Sequence, residues 1–242
     1  MLDGKLIIAL RTRTGPADCP DSQTYLRAGR FNRRMASEPI DIRDRPPYSL
    51  DQFDVEETYR DDLEHILISK GEIISRIQRM AREVSESTHE GPDSELYAAC
   101  VLKGALRFFG TLTPKLSPAG DYSEGVIQAS RYTAGTTTET TADVDLPAAE
   151  TIRGKDVLVV EDIIDEGYTL ESILEEIREK DPRSVSIAVL FDKRDRRKVD
   201  VDVEYTGFIV PDEFLVGFGL DYNERYRNLD HLASLDNAIF EG

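Results

Sequence analysis

The chain has 242 residues, 40% of them hydrophobic and 32% charged, enough for one large core or two small ones in an ordinary globular protein. Its 47 acidic and 30 basic side chains leave a formal charge of −17, which argues against nonspecific nucleic-acid binding, because that needs Lys and Arg to neutralise phosphates. The same balance still admits a phosphorylated small molecule, held locally by backbone amides and a divalent cation.

In chain order, residues 1–45 stand apart, with nine basic groups (Lys5 and eight arginines) against six acidic ones. Leu6–Leu10 fits a short strand and is too short for the apolar core of a secretory signal. The turn-formers Gly15, Pro16 and Pro20 follow, then an Arg-bearing stretch to Arg34. We read 1–45 as an N-terminal extension that packs on the main domain or stays mobile, with targeting or partner binding as the alternative role. Pro46-Pro47 marks the boundary, leaving 46–242 as one domain.

From Tyr48 onward the periodicities sharpen. Ile73, Ile74, Ile77, Met80, Ala81 and Val84 recur at helical spacing over residues 70–86. Leu96–Leu102 is a strand-like run ending in Lys103-Gly104, and Ala105–Leu112 resumes a helical pattern. Val126–Ala129 predicts a short strand ahead of the Gly/Thr-rich stretch Thr133–Thr141. Val157–Val160 is a buried-type strand with a helix over Leu170–Lys180 behind it. Val185–Phe191, Tyr205–Val210 and Phe214–Phe218 give three more strands. Strands alternating with helices imply an α/β fold with a mostly parallel sheet flanked by helices.

No apolar run approaches the roughly 18 residues of a membrane span. Cys19 and Cys100 lack a CxxC spacing, which favours a reduced intracellular, cytoplasmic protein. His65, His89 and His231 show no zinc-ligand spacing. Arg outnumbers Lys by 22 to 8, and the acidic excess fits either a salt-adapted host or simple acidic solubility; both stay open.

The informative segment is Val157–Leu170, VLVVEDIIDEGYTL. A central strand ends in Glu161 and Asp162, then Asp165, and a short loop with Gly167 and Thr169 opens a helix. Carboxyl ends of parallel strands are where open α/β sheets bind ligands. The helix offers free N–H groups and the positive end of its dipole to a phosphate. Adjacent carboxylates repel a bare phosphate, but they suit ribose hydroxyls and a Mg²⁺ carried in by the substrate.

This segment resembles the phosphoribosyl pyrophosphate signature of type I phosphoribosyltransferases, and most of all that of the hypoxanthine-guanine phosphoribosyltransferases. The resemblance implies that Glu161 and Asp162 bind the ribose hydroxyls and touch Mg²⁺ only indirectly. It makes Asp165 the general base or acid at purine N7, and Glu166, Gly167, Tyr168 and Thr169 the 5′-phosphate loop. Glu166 stands where Thr or Ser is usual and Tyr168 where Lys is frequent, which brings extra negative charge to that loop.

Four further segments agree in order and spacing over about residues 48–242, and Tyr48–Ile68 resembles the eukaryotic members. YAACVLKGALRFF (Tyr97–Phe109) resembles the segment whose cis peptide, here Leu102–Lys103, turns the amides of Lys103 and Gly104 toward pyrophosphate. In FDKRDRR, Lys193 falls on the lysine that donates to purine O6, and Arg197 on an arginine supporting the site. In YTGFIVPDEFLVGFGLDY, Phe214 would stack on the purine, the Leu215 backbone would read its edge, and Asp221 would ligate Mg²⁺. In NERYRNLDH, Arg227 would clamp pyrophosphate. The mobile lid usually carries a Ser-Tyr pair; here Ser130-Arg131-Tyr132 stands there, with Tyr132 as the lid tyrosine and Ser130 or Arg131 in the serine's part. The resemblance thus implies a type I phosphoribosyltransferase fold with a smaller hood, and purine salvage using Mg²⁺ and small-molecule substrates, with no nucleic acid or membrane partner. It also implies a homodimer or homotetramer. The rival is a non-catalytic sensor of phosphoribosyl pyrophosphate with the same fold.

Overall fold

The computed structural model describes residues 36–87, 94–118, 120–133 and 140–240. For residues 130–133 and 140–143 only the backbone path is described. Leu6–Leu10 and Cys19 lie outside the described residues.

Ten strands and six α-helices follow one another along this stretch. Strand β1 (Ile40–Asp41) and helix α1 (Glu57–Arg60) precede β2 (Leu63–Ile68), helix α2 (Lys70–Ser87) and β3 (Glu95–Leu102). Next come α3 (Leu106–Leu112), β4 (Asp121–Thr133), β5 (Thr140–Asp145) and α4 (Ala149–Ile152). Then follow β6 (Asp156–Ile164), α5 (Tyr168–Arg178), β7 (Ser184–Asp192) and β8 (Tyr205–Ile209). The short β9 (Leu215–Val216), β10 (Leu232–Leu235) and α6 (Asn237–Phe240) close the described chain.

Seven strands form one sheet in the order β1-β8-β7-β6-β3-β4-β5. All neighbours are parallel except β4 and β5. Period two along β6 explains why its four valine and leucine positions are all apolar. Leu158 and Val160 enter the core beneath α2 and α3, while Val157 and Val159 enter the core beneath α5. A parallel sheet covered on both faces needs such continuous apolar strands. Burying each of these side chains contributes about 1.5–3 kcal/mol.

Helix α2 starts with a capping box. Ser69 Oγ accepts from the Glu72 N–H at 3.3 Å, and Glu72 Oε2 accepts from the Ser69 N–H at 2.8 Å. Its apolar face then buries Ile73, Ile77, Met80, Ala81 and Val84.

Two differences from the sequence expectations have physical causes. Strand β4 runs from Asp121 rather than Val126, because pairing with β3 begins at Asp121 and carries the polar residues along. Only Leu215–Val216 of the Phe214–Phe218 run is a strand; Gly217, Phe218 and Gly219 all take positive φ and turn the chain. That strand joins β2 and β10 in a separate three-stranded antiparallel sheet, order β2-β10-β9, with its own core around Leu63, Ile66 and Tyr226. Upstream of Pro46, Ile40–Asp41 pair with β8 at the sheet edge and Ile42 is buried.

The order of the large sheet fixes where a ligand fits. From β3 the chain moves to β4 on one side, and from β6 to β7 and β8 on the other. The carboxyl ends of β3 and β6 are therefore a switch point, where loops diverge and leave a crevice.

Candidate active site

Three loops meet at that switch point. The loop after β3 carries the Leu102–Lys103 peptide, which is cis. Beside it, Gly104 packs so tightly on the end of β6 that an added Cβ would fall 1.7 Å from Asp162 Oδ2. The Gly104 carbonyl in turn backs onto Gly219, φ 109°, where an added Cβ would come within 2.2 Å of it. Only glycine tolerates that backbone and those approaches.

At the end of β6 the Asp162 N–H donates to Glu161 Oε1 at 3.2 Å and the Ile163 N–H to Asp162 Oδ1 at 2.8 Å. Desolvation first, and then the charge of Asp162, push the Glu161 carboxyl well above the usual carboxylate range. Burial also raises Asp162, while its hydrogen bonds to Glu161 and Ile163 and the charge of Arg227 pull it down. Two acids held this way favour partners that bring hydrogen-bond donors.

Gly167 follows with φ 96° and caps α5; an added Cβ would sit 2.8 Å from Val199 Cγ2. The Lys198 and Val199 N–H groups donate to the Glu166 carbonyl at 2.9 and 3.3 Å, which pins the loop from behind. The Glu171 N–H donates to the Gly167 carbonyl at 3.0 Å, so the intrahelical ladder starts there. The first turn of α5 thus turns its backbone N–H groups and the positive end of the helix dipole toward this loop, an arrangement suited to an anion.

Asp165 lies next to Lys193, since the Lys193 N–H donates to the Ile164 carbonyl at 2.9 Å. Arg196 Nε donates to Asp165 Oδ1 at 2.6 Å and its Nη1 reaches Asp212 at 3.4 Å. Lys193 Nζ is 3.8 Å from the same Asp212 oxygen and its side chain is 11% exposed. Burial pulls the Lys193 ammonium below its ordinary value, and the charges of Asp165 and Asp212 oppose that pull. Arg197 faces away from this group: it donates to buried Asp192 at 3.1 Å and to the Val201 carbonyl at 2.7 Å. It braces the loop that presents Lys193.

Asp221 Oδ1 pairs with Arg227 Nη2 at 2.8 Å, and Arg227 Nη1 donates to the Gly219 carbonyl at 2.9 Å. Arg227 Nε is buried with no hydrogen-bond partner among the described residues. Lys103 Nζ lies 3.4 Å from Glu224, with both side chains exposed. Among the described residues, no cluster of three or more His, Cys, Asp or Glu side chains is arranged to hold a metal ion. A cation here would need ligand oxygens from a substrate, which suits Mg²⁺, commonly bound by one or two carboxylates plus phosphates. Asp221 supplies a hard oxygen donor of that kind.

Phe214 sits two residues beyond Asp212. Its ring is half-buried, stacked on Phe240 at 4.8 Å and edge-on to Tyr222 at 5.3 Å. Leu215 is buried in β9, opposite Ser234. The backbone of Ser130, Arg131 and Tyr132 runs at the end of β4, opposite Asp143, Ala142 and Thr141 of β5. The side chains of these three fall outside the description. A separate pocket of about 480 Å³ is lined by Arg194, Arg197, Lys198, Asp200, Asp202 and Thr206 among others, and by none of Glu161, Asp162, Asp165 and Lys193.

The geometry thus gathers Gly104, Asp162, Asp221 and Arg227 at one end, and Asp165 and Lys193 at the other. Arg107, Arg196 and Asp212 are drawn in as well, though nothing in their local sequence marks them. Arg196 and Asp212 are recognisable only by the contacts they make with Asp165 and Lys193.

A family model described as a phosphoribosyl transferase domain matches residues 67–223. The hypoxanthine-guanine phosphoribosyltransferase of Canis lupus familiaris is 37% identical over 202 residues, 81% of this chain and 91% of that protein. The Homo sapiens enzyme of the same name is 36% identical over the same shares. Among solved structures, a hypoxanthine phosphoribosyltransferase from Staphylococcus aureus superposes with a TM-score of 0.69 at 30% identity, covering 78% of this chain and all of that one. A hypoxanthine-guanine phosphoribosyltransferase from Bacillus anthracis gives 0.62 at 34% identity, covering 72% and 98%.

Proposed function

The chain belongs to the phosphoribosyltransferase family, among the hypoxanthine-guanine phosphoribosyltransferases, and on that premise we propose a specific reaction and residue roles. It transfers the 5-phosphoribosyl group of phosphoribosyl pyrophosphate to N9 of a 6-oxopurine, hypoxanthine or guanine, with xanthine as a third candidate base. The observation that carries this reading is the convergence of Gly104, Asp162 and Gly219 at the β3/β6 switch point, between an anion-binding helix start and the Asp165–Lys193 group.

In this reading the amides at the start of α5 hold the 5′-phosphate. Glu161 and Asp162 accept hydrogen bonds from the ribose hydroxyls, whose donors relieve the crowding of two desolvated acids. Lys103, Gly104 and Arg227 hold pyrophosphate; Arg227 Nε is a buried donor that needs an acceptor. Lys193 donates to O6, Phe214 stacks on the base and the Leu215 backbone reads its edge. The N9–C1′ bond forms as the C1′–O bond to pyrophosphate breaks, and the N7 proton passes to Asp165. Asp221 and phosphate oxygens would hold Mg²⁺, which when bound offsets the charge on departing pyrophosphate. The segment around Ser130, Arg131 and Tyr132 covers the site and excludes water.

No described helix is long and apolar enough to cross a membrane. A cytoplasmic homodimer or homotetramer is the expected setting, with residues 46–242 as the catalytic domain. The test is direct: purified protein with Mg²⁺, phosphoribosyl pyrophosphate and each purine base in turn, followed by nucleotide formation. Turnover with a 6-oxopurine but not adenine supports the proposal. No turnover with any base, while phosphoribosyl pyrophosphate still binds, would return the sensor reading.

A further inference from the structure

Arg107 has no place in the roles above, yet its guanidinium binds four successive residues of one loop, Arg227 to Asp230. It sits three positions after Gly104, in the first turn of α3. Its Nη1 donates to three successive carbonyls, those of Arg227 at 3.4 Å, Asn228 at 2.8 Å and Leu229 at 2.7 Å. Its Nη2 pairs with Asp230, which also binds Lys70 Nζ at 2.7 Å. The guanidinium lies over the Phe218 ring, 4.8 Å from its centroid. Each contact falls on the loop that carries Asp221 and Arg227. The charged fork of arginine suits this array, because lysine offers a single nitrogen and no planar face.

That loop needs support. Phe218, Asn223, Glu224 and Tyr226 all take positive φ, a backbone that side chains other than glycine disfavour. Two of the carbonyls Arg107 binds also accept from the other strand of the loop: Leu229 from the Phe218 N–H at 2.8 Å, and Arg227 from the Gly219 N–H at 3.0 Å. The guanidinium therefore locks the very turn that backs Gly219 against Gly104. A second side-chain link across this gap, Lys103 to Glu224, joins two exposed groups, and such pairs contribute little.

We propose that Arg107 is a positioning residue for the pyrophosphate half of the site. It fixes the Asp221–Arg227 loop against the Lys103–Gly104 peptide, without touching substrate itself. The inference rests on the reaction proposed above. It predicts selective damage: ligands that carry pyrophosphate suffer, while those that do not are spared.

The experiment compares wild type with Arg107→Met and Arg107→Lys. It measures steady-state kinetics, calorimetric binding of phosphoribosyl pyrophosphate and of the nucleoside monophosphate product, and melting temperature. For Arg107→Met, KM and Kd for phosphoribosyl pyrophosphate should rise at least tenfold. The purine KM and the product Kd should stay within about twofold. Arg107→Lys, which keeps the charge facing Asp230, should recover part of the loss. If Arg107→Met does not fold, the same split is read from Arg107→Lys at about threefold, and from Asp230→Asn. Equal weakening of all ligands, or an unchanged KM for phosphoribosyl pyrophosphate in a folded variant, would overturn the role. An inactive wild type would instead count against the reaction itself, so the two failures are separable.

Discussion

Asp165 gives one oxygen to Arg196 at 2.6 Å, and a carboxylate has a second with which to meet a proton at purine N7. An amide of the same size keeps the shape and cannot take that proton. Asp165→Asn should therefore lower kcat by about 100-fold or more, in the range a general base contributes, with KM for phosphoribosyl pyrophosphate within about threefold of wild type. Steady-state kinetics read both numbers, and near-normal turnover would remove Asp165 from the chemistry. Glu161 carries a different expectation. Its carboxyl is raised above the ordinary 4.5, so the folded protein holds a proton that the unfolded chain has released. Stability is then lost as pH climbs from 4.5 through the raised value, because the folded protein must either take up that proton or bury the charge. Glu161→Gln should melt higher than wild type at pH 7, by about 2–4 °C for each kcal/mol recovered, with the difference shrinking toward pH 4.5. It should also bind phosphoribosyl pyrophosphate more weakly. Identical melting curves at both pH values would mean that no burial cost exists to be relieved. Glu161, Asp162 and Asp165 were legible as a group because they stand together after one apolar strand. Arg107 was not, since its carbonyl partners lie 120 to 122 positions away.

The turn between β6 and α5 shows how an element can be over-determined. The chain must leave the sheet, reverse and start a helix within three residues, and the left-handed Gly167 achieves this with Val199 packed behind it. Gly167→Ala forces an L-residue into that conformation, which costs about 1–2 kcal/mol, and its Cβ presses on Val199 as well. A lowered melting temperature together with weaker binding of the nucleoside monophosphate is the expected outcome. An unchanged melting temperature would show that the loop relaxes freely. Strands β3, β6 and β7 were readable because burial on both faces demands long apolar stretches such as Val157–Val160 and Ile187–Phe191. The three-stranded sheet was not. Strand β9 was read as part of a longer Phe214–Phe218 strand, β10 has only four residues, too few to show a period, and the pairing exists because Leu215 and Val216 find Ser234 and Ala233 across the turn. Strand β2, LEHILI, mixes Glu64 and His65 with its apolar residues, and nothing local separates it from a loop. His65 reaches Glu213 at 3.0 Å instead.

At the scale of the whole molecule the excess of 17 negative charges opposes compactness, because folding brings like charges closer together. Arginine–carboxylate pairs such as Arg43–Asp195, Arg45–Glu72, Arg196–Asp165 and Arg225–Asp62 work against that repulsion. Salt weakens both, but not equally. Most of these pairs hold their charges within about 3 Å, inside even the ~3 Å Debye length of 1 M salt, whereas net repulsion acts over tens of ångströms and is already halved or better at 0.1 M, where the length is about 10 Å. Repulsion should therefore be screened first. Melting temperature should rise between about 0.02 and 0.5 M KCl and then level off if acidic solubility is the whole story. A salt-adapted chain would instead go on gaining stability to molar KCl and unfold when the salt is removed. A melting temperature that falls with salt at every concentration would mean that the arginine pairs outweigh the net charge, and that the acidic composition places no strain on the fold.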